Sequence, residues 1–161
     1  ALATSIPVAT GERLTTMSEF AAVLSAGAAI LQPALGRAGG LWEGRKIAVL
    51  AQAHGAQLAP HLYAGPVEWA ANIHLSVAIP NLLIAETIET DFHADLIGHS
   101  LSVDAGYVTA PSAPGLGIDV DEALARAHPY TGEGLHLEMQ DDPPRYDAPH
   151  LFEGGAPVRD T

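Results

Sequence analysis

The chain of 161 residues carries 19 acidic against 7 basic side chains, a formal net charge of −12, and no cysteine. An acidic chain without a basic stripe argues against nucleic acid as a partner. The missing cysteines exclude disulfides, thiolate metal sites and a cysteine nucleophile, and they fit a reducing, cytoplasmic setting; no run approaches the ~18 apolar residues of a membrane span, and the first residues lack the basic region and long apolar core of a signal peptide.

One pattern recurs along the chain: a short apolar run, a turn, then a helix-period stretch. Ile6-Pro-Val-Ala-Thr-Gly-Glu12 precedes a helix predicted over Met17 to Ala26, with Thr16 or Ser18 as its cap and Gly27 as its stop. Phe20, Val23 and Leu24 form its buried face. Ile30-Leu-Gln-Pro-Ala34 follows, with a tight glycine-rich turn through Gly36-Arg-Ala-Gly-Gly40. The next helix ends at Gly55 and places Leu41, Ile47, Leu50 and Ala51 on related faces. Gln57-Leu-Ala-Pro-His61 opens the third copy, and its helix runs from Pro66 to Ile79 with Trp69, Ile73 and Val77 inward. Leu82-Leu-Ile-Ala-Glu86 opens the fourth. Strand starts near 7, 30, 57 and 82 are 23, 27 and 25 residues apart. That period fits one strand and one helix per unit, so the fold class is α/β with parallel strands joined by helical crossovers. A closed eight-unit barrel needs roughly 250 residues. Four units therefore make half a barrel, whose unpaired edges invite a further chain or segment.

Beyond Glu86 the rhythm breaks. Glu89 to His99 reads as a polar, mixed loop. Leu101 to Val108, turning at Asp104-Ala-Gly106, reads as a small hairpin. Ala110 to Gly117 is a turn-rich bridge, Val120 to Ala127 a short helix, and Asp141 to Thr161 an extended tail. The expected division is a partial barrel over 1–97 and a C-terminal tail over 98–161, packed on the barrel or a capping domain.

Parallel barrels carry chemistry at the carboxyl ends of their strands, where Glu12, His61 and Glu86 fall. A carboxylate after Gly11 suits a hard cation such as Mg²⁺, or simply reaches water. A histidine held by the preceding proline can exchange protons near neutrality, or serve as a hydrogen-bonded structural residue. An acid after Leu-Leu-Ile-Ala needs a partner or an exposed mouth. Gly36 to Gly40 with Arg37 could hold an anion on its amides, although it is no dinucleotide fingerprint and a tight βα turn explains it as well. Glu89, Asp91, His93, Asp95 and His99 crowd one loop, but no spacing among them matches a known metal site. The single lysine, Lys46, lies within a helix and is not placed to act as a base.

Taken together, Pro7-Val-Ala-Thr-Gly-Glu12, Leu31-Gln-Pro with Gly36-Arg-Ala-Gly-Gly40, Ala59-Pro-His61 and Ile84-Ala-Glu86 resemble the C-terminal half of the enolase-superfamily barrel. The resemblance is to the mandelate racemase and acid-sugar dehydratase branch, and Gly106-Tyr-Val-Thr with Pro114-Gly-Leu-Gly117 resembles that branch's tail. It covers residues 5 to 125 in order and spacing. It implies a modified (β/α)₇β barrel, with Mg²⁺ on three strand-end carboxylates of which Glu12 is the last. His61 then matches the family's histidine base, and Glu86 matches the acid that hydrogen-bonds the substrate carboxylate or the enediolate formed by proton removal. Arg13, Arg37 and Tyr63 are the expected substrate-binding residues.

Two departures stand out. Ala34 occupies the place where the family usually has an aspartate that orients the histidine, which leaves His61 an acid role or mere substrate binding, with the base elsewhere. The other two metal ligands and the family's lysine base have no counterpart in this sequence, so it reads as a fragment. The expected function is that of the C-terminal part of a Mg²⁺-dependent acid-sugar dehydratase, homo-oligomeric when full length, with a small sugar acid as substrate. A cycloisomerase or racemase with the same intermediate is the near alternative. A non-catalytic half-barrel that only binds a sugar acid is the alternative of another class, and a phosphate-binding barrel half using Gly36 to Gly40 is a third.

Overall fold

Three of the four predicted strands form, each as a regular ladder of only two residues. In the computed structural model, which describes residues 4–129, β1 is Ala9–Thr10, β2 is Ile30–Leu31 and β3 is Gln57–Leu58. They pair in parallel in the order β1-β2-β3, with Ala9 opposite Ile30, Ile30 opposite Gln57, and Leu31 opposite Leu58. The strands are short for a covalent reason. Pro33 and Pro60 each follow a strand by two residues, and a proline has no N–H to give the ladder. Both rings are fully buried and their carbonyls still accept, Pro33 from His61 N–H at 3.1 Å and Pro60 from Glu86 N–H at 3.4 Å. Pairing therefore resumes beyond them, as a parallel bridge between Ala34 and His61. The fourth strand is reduced to one bridge, Leu58 with Leu82, flanked by Leu58 N–H to Asn81 O at 2.9 Å and Leu83 N–H to Leu58 O at 2.7 Å.

The crossovers are α1 (Met17–Ser25), α2 (Leu35–Ala38) with α3 (Gly40–Ala53), and α4 (Pro66–Ala78). Thr16 is the cap of α1. Its side chain accepts from Glu19 N–H, and Glu19 Oε2 accepts from Thr16 N–H at 2.8 Å, a reciprocal capping box. Helix α2 was expected as a turn; its left-handed Gly39 (φ 99°) ends it and starts α3. Gly44 lets α3 approach, since a Cβ there would lie 2.5 Å from Leu35 and 3.1 Å from Leu75. Pro66 opens α4 where no N–H is needed.

Two apolar clusters follow. Phe20, Leu24, Leu31, Leu35, Ile47 and Leu58 form the first, between sheet and helices. Leu62, Trp69, Ala70, Ile73, Ile97 and Leu101 form the second, with Val108, Leu116 and Ile118 packed against it. Two expected core residues lie outside: Leu41 and Val77 are exposed, because the inward faces of α3 and α4 run instead through Ile47, Ala48 and Ala51, and through Trp69, Ile73 and Ser76.

The polar stretch expected as a loop contains α5 (Asp91–Leu96), capped by the Thr90 hydroxyl, which accepts from His93 N–H. The buried Ile97 anchors its end. The expected hairpin closes as a two-residue turn, Asp104 pairing with Tyr107 across Ala105 (φ 49°) and Gly106 (φ 83°). Helix α6 (Glu122–Ala127) is capped by Asp121. The extended tail read at Asp141 to Thr161 lies outside the described residues. Among the described residues no helix is long and apolar enough to cross a membrane.

Thr16→Ala removes the cap of α1 and is expected to lower stability by about 1 kcal/mol, read by urea unfolding near neutral pH. The Glu19 carboxyl is held below the usual glutamate range by the Thr15 amide first, then by the Thr16 hydroxyl and amide. A group with a depressed native value stabilises above its unfolded value and loses that contribution as pH falls through the native one. The stability difference between parent and Thr16→Ala should therefore shrink as pH drops below about 4.5.

Candidate active site at the strand ends

Three backbone features deliver three side chains to one rim. Gly11, at the end of β1, is buried with φ 134°, and this turns the chain so that Glu12 leaves the sheet. The Ala34–His61 bridge carries His61 past Pro60, and Asn72, fully buried on α4, donates from Nδ2 to the His61 carbonyl at 3.3 Å. The Glu86 N–H bond to Pro60 O sets Glu86 beside the same bridge.

His61 Nδ1 lies 2.7 Å from Glu86 Oε2 and 3.9 Å from Glu12 Oε2. Glu86 Oε2 also accepts from Leu62 N–H at 2.7 Å. The histidine side chain is 20% exposed, against 54% for Glu12 and 46% for Glu86, so the imidazole is the sheltered member of an open rim. Two carboxylate oxygens face one ring nitrogen, and together they offer a nearby cation anionic partners. The three strand-end residues picked out by spacing thus converge.

The expected substrate-binding residues are placed unevenly. Arg13 joins the rim through Glu12, its Nε 3.5 Å from Oε1. Tyr63 is exposed two residues beyond His61, and Arg37 is exposed on α2. Among the described residues neither makes a hydrogen bond or ion pair with the three. The anion cradle at Gly36 to Gly40 is overturned. The Gly36 N–H already donates to Glu68 Oε1 at 3.0 Å, and that carboxylate would repel an incoming anion. Of the acidic and histidine cluster at 89–99, only Asp95 and His99 meet, at 3.2 Å and both exposed; no three such groups among the described residues could hold a metal ion.

Gln32 and Asn72 escaped the sequence reading. Gln32 lines, with Thr10, Glu12 and Leu14, a recess of about 330 Å³ beside the rim. The only signal for it is its place one residue after β2. Glu12 fits Mg²⁺ as one hard oxygen donor, exposed at a strand end with that recess in front of it. It fits as one member of a ligand set, not as a whole site.

The enolase C-terminal domain-like family profile matches residues 1–124. The chain belongs to the enolase superfamily. Its parallel β/α architecture is the C-terminal half of that superfamily's (β/α)₇β barrel. Curated relatives include a D-galactonate dehydratase of Ralstonia nicotianae, 41% identical over 130 residues, and one of Variovorax paradoxus, 40% identical over 131. These alignments cover 75% and 76% of this chain and 34% of each relative, so the chain spans about a third of the curated relatives' length. A mandelate racemase/muconate lactonizing enzyme from Sulfitobacter sp. superposes with a TM-score of 0.82 at 68% identity, over 88% of this chain and 36% of that one. An enolase from Pantoea ananatis with bound D-gluconate and magnesium superposes at 0.74 with 28% identity, over 80% and 32%.

In this enolase-superfamily chain Gly11 sets the angle of the Glu12 arm. A Cβ there would lie 2.9 Å from Phe20 and 3.1 Å from Gln32 N, at a φ that L side chains rarely adopt. Gly11→Ala is expected to destabilise by roughly 1–3 kcal/mol, measured by denaturant unfolding. Gly65→Ala, with open space and extended backbone, should fall within about 0.5 kcal/mol of the parent.

Proposed function

We propose that this chain is the C-terminal barrel half of a Mg²⁺-dependent acid-sugar dehydratase, with a small sugar acid as substrate and homo-oligomeric when full length. One observation carries the reading: Glu12, His61 and Glu86, from three different strand ends, meet within 4 Å of one imidazole nitrogen. The D-galactonate dehydratase relatives supply the reaction class, and the gluconate-bound neighbour supplies the substrate class.

Each residue has a distinct task. Glu12 offers a carboxylate to Mg²⁺, with the remaining ligands outside this chain. When bound, the metal supplies positive charge against the substrate carboxylate and lowers the barrier to removing the neighbouring proton. Arg13, Arg37 and Tyr63 are the proposed contacts for the substrate's anionic and hydroxyl groups. A base outside this chain takes the proton next to the carboxylate. The C–O bond to the β-hydroxyl then breaks, and His61 donates its Nε2 proton to the departing oxygen, which leaves as water. Nδ1 is engaged with Glu86, so Nε2 is the nitrogen left to face a guest. Glu86 Oε2 already accepts from Leu62 N–H and meets His61, so Oε1 is the oxygen left to meet the substrate's polar groups. The curated D-galactonate dehydratases favour dehydration over racemisation or cycloisomerisation.

A panel of aldonates and aldarates assayed on the full-length protein tests the reading. A 2-keto-3-deoxy acid should form with Mg²⁺, disappear with chelator and return with added Mg²⁺. His61→Asn should keep the fold by circular dichroism and lose about 10²- to 10⁴-fold in kcat. Turnover indifferent to chelator, or near-normal turnover in His61→Asn, would overturn it.

A further inference from the structure

His61 needs its ring held by something, and the usual candidate position beside it is empty of acceptors. Ala34 is the residue bridged to His61 across the parallel pair, it is buried, and its methyl can accept no proton. A histidine whose Nδ1 is unengaged divides between two tautomers and turns about its χ angles, and both weaken proton transfer at Nε2.

The structure holds Nδ1 from the other flank. Glu86 Oε2 approaches it to 2.7 Å. A ring nitrogen and a carboxylate oxygen at that separation repel through their lone pairs unless a proton lies between them. Oε2 accepts from Leu62 N–H at the same time, which favours it as the charged acceptor and Nδ1 as the proton carrier. The arrangement is braced on both sides: the Glu86 backbone is fixed through Pro60 O, and the His61 carbonyl is held by Asn72.

We infer that Glu86 is a positioning residue that orients His61 through Nδ1 and so does the work a carboxylate at position 34 would do. It fixes the Nδ1–H tautomer and the ring's orientation, so that Nε2 is the nitrogen through which the proton passes. The inference rests on the proposed dehydratase reading for its consequence in turnover, but the tautomer itself does not depend on it.

The test uses the full-length protein labelled with ¹⁵N-histidine, without substrate, and reads His61 by its loss in His61→Asn. In the parent the neutral ring should be the Nδ1–H form. In Glu86→Ala it should move toward Nε2–H, and kcat should fall roughly 10- to 100-fold with a smaller change in KM. Ala34→Asp on the Glu86→Ala background places a carboxylate on the opposite flank, and it should restore the Nδ1–H form and part of kcat. Should Glu86→Ala fail to fold, Glu86→Gln serves: its amide oxygen keeps an acceptor but removes the charge, so the tautomer should hold while kcat falls. A parent ring in the Nε2–H form, or an Nδ1–H form unmoved by Glu86→Ala, overturns the inference. A tautomer that shifts as stated in a protein with no sugar-acid turnover supports the positioning role and sinks the dehydratase reading alone. Normal turnover with an unmoved tautomer sinks the positioning role alone.

Discussion

The site depends on parallel pairing that survives two prolines. Pro33 and Pro60 remove two donors from the ladder, and each would end an ordinary strand. Their carbonyls remain in register, however, and the next residues on the neighbouring strands donate to them. The result is a sheet with very short regular strands and a second line of bonds beyond the prolines, at the height of Ala34, His61 and Glu86. Without that second line His61 would be a loop residue. With it, the ring stands on a backbone segment bonded to both neighbouring strands, which holds it at the rim.

The charge pattern at the rim follows from that height. One imidazole edge faces two carboxylates, and both carboxylates are about half exposed, so water offsets their mutual repulsion. The more sheltered partner is the histidine, which gains from either. Arg13 neutralises the outer side of Glu12 only in part, because it is itself mostly in solvent. An open rim of this sign repels an anion by itself, and a cation bound there would offset the carboxylates.

The unit period was legible because the sequence writes it twice, once as short apolar runs around the strands and once as apolar faces on the helices. Glu12, His61 and Glu86 stood out for a related reason, as ionisable residues just after three of the four strand cores. What escaped depends on contacts between elements. Nothing local distinguishes Gly36 as part of the short helix α2, since its amide partner, Glu68, is 32 residues away. The stretch 89–99 hides α5 because its only fully buried residue, Ile97, follows the helix rather than lying within it. Leu41 and Val77 were assigned inward on periodicity alone, yet helices flanked by neighbours on both sides bury a face that small residues such as Ala48, Ala51 and Ser76 help define.

The pairing of His61 with Glu86 was the least legible feature and is the most consequential. A strand-end histidine in a parallel sheet has two neighbouring strands, and an orienting carboxylate can come from either. On one side this chain has an alanine whose backbone is bonded but whose side chain is inert. On the other it has a glutamate, one methylene longer than an aspartate, whose oxygen reaches both Nδ1 and the amide of residue 62. The chemistry asks only that an acceptor be fixed at Nδ1, and it is indifferent to which strand provides it. An alanine at one flank therefore does not by itself mark a dead site.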